Sequence, residues 1–265
     1  MLSKSVVLRR VANRAMSTAA EKPLAVISGG TRGIGLACAR ALHARGYRLA
    51  LMSRREESVE RALEQLALSP EECQGFIVDV ADRQSVIEAF KRSAERMGDC
   101  DALVCAAGIA EDSPLITQQE EAALRMLQVN TAGCIWTTQQ AVRQMLHAKK
   151  AGSIVIVGSD VADGNRGQAA YASSKAALRG LCTTLAKEYG PRQVRVNLVE
   201  PGLIVDTDMT SGYPEERFHS VAEATPLGRC GTADEVANVA AFLVSDEASW
   251  VTGQRLRVDG GIMMG

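Results

Sequence analysis

From Leu24 onward the chain alternates between two hydrophobic patterns. Short, nearly continuous apolar runs occur in order as LAVISG, YRLALMS, GFIVDV, DALVCAAG, SIVIVGS, VRVNLVEPG and QRLRVDGG. Between them lie longer stretches of helical composition, among them Ile34 to about Arg45, EESVERALEQLAL and SVIEAFKRSAERM. An apolar run without polar alternation is buried on both faces, as in a parallel strand covered by helices on both sides. The pattern predicts an α/β fold with a single doubly wound domain over residues 23–265. Its sheet is expected to be parallel, with about seven strands and right-handed crossovers. No internal repeat or linker interrupts the alternation.

The first 22 residues break the pattern. MLSKSVVLRRVANRAMSTAAEK carries Lys4, Arg9, Arg10 and Arg14 and no acid before Glu21. Its longest apolar run, Val6-Val7-Leu8, is too short for a secretory signal. Leu8, Val11, Ala12 and Ala15 share one helical face beside the arginines. This basic, acid-poor, amphipathic composition resembles a mitochondrial transit peptide, so the mature domain is expected in the mitochondrial matrix.

Composition narrows the function by exclusion. A net charge of −1 argues against bulk nucleic-acid binding. No apolar run approaches the roughly 18 residues that a membrane span requires. The seven cysteines are scattered without CxxC spacing, and His43, His147 and His219 form no motif, so no metal is expected.

The first apolar run leads directly into SGGTRGIG. Gly29, Gly33 and Gly35 punctuate this turn, with Thr31, Arg32 and Ile34 between them, before a helix begins. Glycine serves where the backbone turns tightly or approaches a ligand closely. The helix N-terminus offers free N–H groups to a pyrophosphate. A first-strand-to-first-helix position identifies a Rossmann-type dinucleotide site, although the spacing is G-x-x-x-G-x-G. The second strand ends in Met52-Ser53-Arg54-Arg55, with no carboxylate until Glu56. A carboxylate there would bind the ribose 2′-hydroxyl and repel a 2′-phosphate. Arg32 and Arg54, converging on one ribose, would pair with a phosphate, so NADPH is the expected cofactor.

In GQAAYASSKAAL, Tyr171 precedes Lys175 by four residues, one helical turn away on the same face. With the glycine loop and Ser159 upstream, the pair resembles the short-chain dehydrogenase/reductase family over about residues 24–263. Further segments match in order: Asp79-Val80, Asn130 in LQVNTAG, Ala107-Gly108, Pro201-Gly202 with Ile204, Thr207, and WVTGQRLRVDGG. The resemblance implies that Asn130, Ser159, Tyr171 and Lys175 are catalytic. It implies that Asp79 and Val80 meet the adenine, and that Ala107, Gly108, Pro201, Gly202, Ile204 and Thr207 lie along the cofactor. Ser159 would hold a substrate carbonyl, and Asn130 would support a water that relays protons to Lys175. A nearby ammonium and the cofactor's positive charge would lower the Tyr171 pKa from its usual value near 10.

The chain departs from the family pattern in three places. Cys105-Ala106 replaces two asparagines. Ser159 precedes Tyr171 by twelve residues, one fewer than usual, and VEPGLIVDTDMT holds one residue more than usual. Within the family, GNRGQAAYASSKAAL and TPLGRCGTADEVA resemble enzymes that reduce 3-oxoacyl groups on acyl carrier protein. The implied partner is that acidic carrier, docking at Lys149, Lys150 and Arg192, and the implied assembly is a homotetramer. The alternatives are an NADPH-dependent carbonyl or quinone reductase of free small molecules, a hydroxysteroid enzyme, and a non-catalytic cofactor-binding subunit of a mixed oligomer. Thr210–Val221 is expected to form part of a substrate lid.

Overall fold

The computed structural model describes residues 22–263. Apart from Lys22, the expected transit peptide lies outside the described residues. All seven expected strands are present: β1 (Leu24–Ser28), β2 (Arg48–Ser53), β3 (Cys73–Ile77), β4 (Ala102–Cys105), β5 (Gly152–Val157), β6 (Val194–Pro201) and β7 (Arg255–Val258). They form one sheet in the order β3-β2-β1-β4-β5-β6-β7, and every neighbouring pair is parallel. The order reverses between β1 and β4, so the chain leaves these adjacent strands in opposite directions. A crevice opens there at the carboxyl ends of the strands.

Eight α-helices cover the sheet among the described residues: α1 (Gly33–Ala44), α2 (Glu56–Leu66), α3 (Arg83–Met97), α4 (Glu120–Met126), α5 (Gly133–His147), α6 (Ala169–Tyr189), α7 (Glu215–Ala224) and α8 (Ala233–Val244). The period of two along β1 shows how one strand serves two cores. Leu24 and Val26 join Val86 and Phe90 of α3, Met145 of α5 and Leu178 of α6. Ala25 and Ile27 join Leu36 and Leu42 of α1 and Val236 and Leu243 of α8 on the other face. Burial on both faces explains the apolar runs of the inner strands, while β7 at the sheet edge keeps Arg255 and Leu256 exposed.

Two of the helix starts are locally encoded. The Asp82 carboxylate accepts from the Gln84 amide at the start of α3. Thr232 and Glu235 form a reciprocal capping box at α8. Between α4 and α5 the chain makes a π-turn, Leu127–Ala132, which holds Asn130. Gly133 follows because a Cβ there would come within 2.8 Å of the Val80 side chain. The third strand starts earlier than GFIVDV suggests and ends at Ile77, which leaves Asp79 and Val80 in the crevice-side loop.

Candidate active site

A cleft of about 760 Å³ occupies the carboxyl ends of β1, β2, β4, β5 and β6. Its lining includes every residue expected at the cofactor: Gly29, Thr31, Arg32, Gly33, Ile34, Gly35, Ser53, Arg54, Asp79, Val80, Ala107, Gly108, Tyr171, Lys175, Pro201, Gly202, Ile204 and Thr207. Ser159 also lines it, whereas Asn130, 1% exposed, does not.

The glycine loop fits the backbone of a dinucleotide. Gly29 has φ +70° and its amide donates to the Met52 carbonyl. A Cβ at Gly29 would lie 2.7 Å from the Ala107 backbone, so the loops after β1 and β4 close to a spacing that admits no side chain. A Cβ at Gly35 would collide with the Gly29 carbonyl oxygen. Helix α1 starts without a side-chain cap and without an acid in its first turn, which leaves its N–H groups and positive pole facing the cleft. These features suit a pyrophosphate. Thr31 donates to Ser53 at 3.1 Å, tying the loop to the end of β2, where Arg54 also lines the cleft.

Arg32 and Asp79 have partners that the sequence did not indicate. Arg32 lies 2.6 Å from the Asp208 carboxylate, with both side chains largely exposed. Burial disfavours the ionised form of Asp79. The Arg125 guanidinium 2.7 Å away and the Ala81 amide outweigh it and hold the carboxyl below its ordinary value.

Helix α6 places Tyr171 and Lys175 one turn apart in its buried first turns, with the ammonium 5.8 Å from the centre of the phenol ring. Lys175 donates to the Val157 carbonyl at 3.0 Å, fixing the helix against the end of β5. Burial pushes the Lys175 ammonium down to about 8, while the nearby thiols Cys134 and Cys105 act in the opposite direction. Burial pushes the Tyr171 phenol up to about 12, against the lowering effect of a hydrogen bond with Ser159. Desolvation of the phenolate dominates, and Asp160, Tyr213 and Asp112 add negative potential, which opposes the lowering expected of the ammonium and the cofactor's charge together.

Asn130 acts on backbone. Its Nδ2 donates to the Ile109 carbonyl and to Ser174, and its Oδ1 accepts from the Ile109 amide at 2.8 Å. Asn130 therefore clasps the segment after Gly108 with both donors of its amide engaged and one acceptor lone pair of Oδ1 left over. In place of the family's asparagines, Cys105 packs 3.4 Å from the Thr137 hydroxyl, and the Ala106 amide donates to the Ser28 carbonyl. The loop holds its place through backbone bonds.

The altered spacings are absorbed locally. Asp206 takes the left-handed conformation at φ +59°, a turn that accommodates the extra residue before Thr207. Thr207 then faces Gly33, its methyl 3.5 Å from where a Cβ there would sit. Ser159 caps a short 3₁₀ turn, accepting from the Val161 amide and donating to the Asp160 carboxylate, each at 3.3 Å.

The expected lid runs through turns into α7 and is held from the opposite wall. The Asp112 carboxylate accepts from Gln168 at 2.5 Å, from the Tyr213 hydroxyl at 3.3 Å and from Arg217 at 3.1 Å. Arg217 also stacks 3.7 Å over the Tyr213 ring. No local sequence signal marks Asp112 or Arg217. Asp160 was missed as well, its one sequence signal being its place immediately after Ser159.

The residues expected to dock the carrier lie elsewhere. Lys149 and Lys150 precede β5, and Arg192 precedes β6, so they sit at the amino ends of strands whose carboxyl ends form the cleft. The Gly152 amide donates to the Gln193 carbonyl, joining the two basic turns into one corner. Nearly the whole length of α6 (Ala169–Tyr189), about 27 Å of helix, separates that corner from Tyr171. Lys150 also pairs with Asp101 at 3.4 Å.

Among the described residues no cluster of His, Cys, Asp or Glu could hold a metal. No described helix is long and apolar enough to cross a membrane.

The comparisons agree with this geometry. A family model described as enoyl-(acyl carrier protein) reductase matches residues 29–263. The chain is 42% identical over 242 residues to carbonyl reductase family member 4 of Danio rerio, covering 91% of this chain and 98% of the relative. It is 40% identical over 244 residues to a 3-oxoacyl-[acyl-carrier-protein] reductase of Bos taurus, covering 90% and 97%. It is 35% identical over 245 residues to FabG, the 3-oxoacyl-[acyl-carrier-protein] reductase of Escherichia coli, covering 92% and 98%. The crystal structure of gox2181 superposes with a TM-score of 0.87 at 32% identity, covering 93% of this chain and 97% of that one.

Proposed function

The chain belongs to the short-chain dehydrogenase/reductase family and is an oxidoreductase built for a nicotinamide cofactor; from that premise we propose that it reduces 3-oxoacyl groups on acyl carrier protein to 3-hydroxyacyl groups, with NADPH as reductant. The observation that carries the reading is the joining of Ser159, Tyr171 and Lys175 at one end of a cleft whose other end is lined by Arg32 and Arg54. The relatives named 3-oxoacyl-[acyl-carrier-protein] reductase support the substrate class.

Gly29, Gly33 and Gly35 admit the pyrophosphate, Asp79 and Val80 flank the adenine, and Arg32 and Arg54 take the 2′-phosphate. Bound there, the dihydronicotinamide supplies the hydride for the carbonyl carbon. Ser159, turning its hydroxyl from Asp160 to the substrate, holds the carbonyl oxygen as negative charge develops on it. Tyr171 gives its proton to that oxygen. A phenol pushed up to about 12 is fully protonated at neutral pH, the state that a reduction requires of its acid. Lys175 reprotonates and electrostatically supports Tyr171. Asn130 keeps Ile109 and Gly108 in place beside Lys175.

We place the protein in the mitochondrial matrix on the composition of residues 1–22. We assign it a homotetramer, to which the exposed Leu124, Leu127 and Ile135 on α4, the π-turn and α5 offer an apolar face. Docking of the carrier at Lys149, Lys150 and Arg192 then serves the cleft of a neighbouring copy, because these residues are remote from the cleft of their own chain. The relative named carbonyl reductase favours a second reading, reduction of free small carbonyl compounds.

The deciding experiment follows NADPH oxidation with acetoacetyl-carrier protein for wild type and Tyr171→Phe. Turnover that the variant abolishes supports the proposal. Tight NADPH binding with no turnover of the carrier-linked substrate overturns the substrate assignment.

A further inference from the structure

Arg32, Arg54 and Arg125 line the cleft on its cofactor side, the first and last paired with Asp208 and Asp79, while the wall beside Ser159 carries the carboxylate of Asp160. Asp160 accepts from the Ser159 hydroxyl at 3.3 Å, the group proposed to hold the substrate oxygen. No lysine, arginine or histidine pairs with Asp160 among the described residues. Burial, with the acids Asp259 after β7 and Glu200 on β6, pushes its carboxyl above the ordinary value, while the Val161 amide and the Ser159 hydroxyl favour the anion. Glu200 is itself held by Arg179 at 2.7 Å and Arg255 at 3.3 Å. On the α6 side its neighbour is Tyr171, on whose phenol it exerts negative potential.

We propose that Asp160 is a charge filter: its carboxylate, fixed beside the carbonyl-holding hydroxyl of Ser159, excludes substrates that carry an anion near the reacting carbonyl. A free 3-oxo acid carries its carboxylate two bonds from that carbonyl carbon, and so brings a second negative charge against Asp160 in a cleft where screening is weak. Conversion to an ester or thioester removes this charge and leaves the carbonyl unchanged. The site therefore takes 3-oxoacyl groups in neutral, esterified form. This deepens the proposed function and rests on it for the assignment of Ser159 and Tyr171. It does not depend on the carrier.

The test compares acetoacetate with its neutral methyl ester on the full-length, NADPH-loaded protein. Calorimetric binding and kcat/KM are measured for wild type, D160N and D160E. Wild type is expected to prefer the ester strongly. D160N is expected to raise the acetoacetate-to-ester ratio by at least about tenfold, in binding and in kcat/KM. D160E, which keeps the charge, is expected to retain the wild-type preference. If D160N folds poorly, D160S replaces it. A ratio unchanged in the neutral variants overturns the filter, as does acetoacetate that none of them binds better than wild type. Reduction of the methyl ester without turnover of acetoacetyl-carrier protein would instead remove the carrier assignment and leave the filter standing.

Discussion

Arg32 and Asp208, 176 positions apart in sequence, meet at 2.6 Å and join the glycine loop to the turn that leads into the expected lid. Arg32 is also the guanidinium that we assign to the cofactor's 2′-phosphate, so Asp208 competes with that phosphate for one group. The pair is well exposed on both sides, and exposed pairs are worth about 0–1 kcal/mol. Asp208→Asn is therefore expected to tighten NADPH by about two- to fivefold and to leave NADH unchanged. Arg32→Ala is expected to weaken NADPH by about tenfold or more, again sparing NADH. Fluorescence titration with both cofactors checks this. Equal effects on the two would show that Arg32 does not meet the phosphate.

This pair also marks where the sequence stopped being informative. The inner strands were legible because burial on both faces leaves apolar runs, whereas the edge strand β7, exposed at Arg255 and Leu256, lacks one and stood out through the family resemblance of WVTGQRLRVDGG. The glycine loop and the Tyr171–Lys175 pair were legible because their spacing is set by local geometry, a turn in one case and a helix in the other. Asp208, Arg125, Asp112 and Arg217 were not legible, since each acts through a partner from 46 to 176 positions away. The burial of Tyr171 was not legible for a related reason: the sequence shows the neighbouring lysine but not the desolvation that pushes the phenol up to about 12.

Lys175 gives a pH signature of the cofactor-free protein. An unfolded lysine titrates near 10.4, the buried one at about 8, so between these values the unfolded chain binds more protons. Its penalty on stability is present in full below pH 8 and fades as the pH rises towards 10. Buried thiols such as Cys38, pushed up to about 12 by burial, act in the opposite sense over the same range. The contribution of Lys175 is thus read as a difference between variants. Lys175→Met is expected to be more stable than wild type at pH 7, by about 1–3 kcal/mol, with the gap narrowing between pH 8 and 10. Urea unfolding across that range measures it. A gap independent of pH would place the Lys175 titration elsewhere.

Asp112 is expected to control lid mobility. It gathers Gln168 from the approach to α6 and Tyr213 and Arg217 from the lid. Asp112→Ala should raise KM several-fold and accelerate tryptic cleavage after Arg217. Arg217→Met should raise KM similarly, and the double variant should cost little more than either alone, because both changes break one interaction. Full additivity in KM would mean that the two residues act separately.

Gly35 and Gly180 offer opposite outcomes for one substitution. Both lie in helices, where alanine is ordinarily preferred to glycine by about 0.5–1 kcal/mol. At Gly180 a Cβ meets nothing within 4 Å, so Gly180→Ala is expected to stabilise the fold by about that amount. At Gly35 the added carbon strikes the Gly29 carbonyl, and Gly29 has no room to retreat because it is already packed against the Ala107 backbone. Gly35→Ala should therefore cost about 1–3 kcal/mol and spread the loop that is proposed to cradle the pyrophosphate. Thermal unfolding with and without NADPH tests both. The stabilisation that NADPH confers should survive in Gly180→Ala and disappear in Gly35→Ala. Its persistence in Gly35→Ala would mean that the pyrophosphate does not rest on this turn.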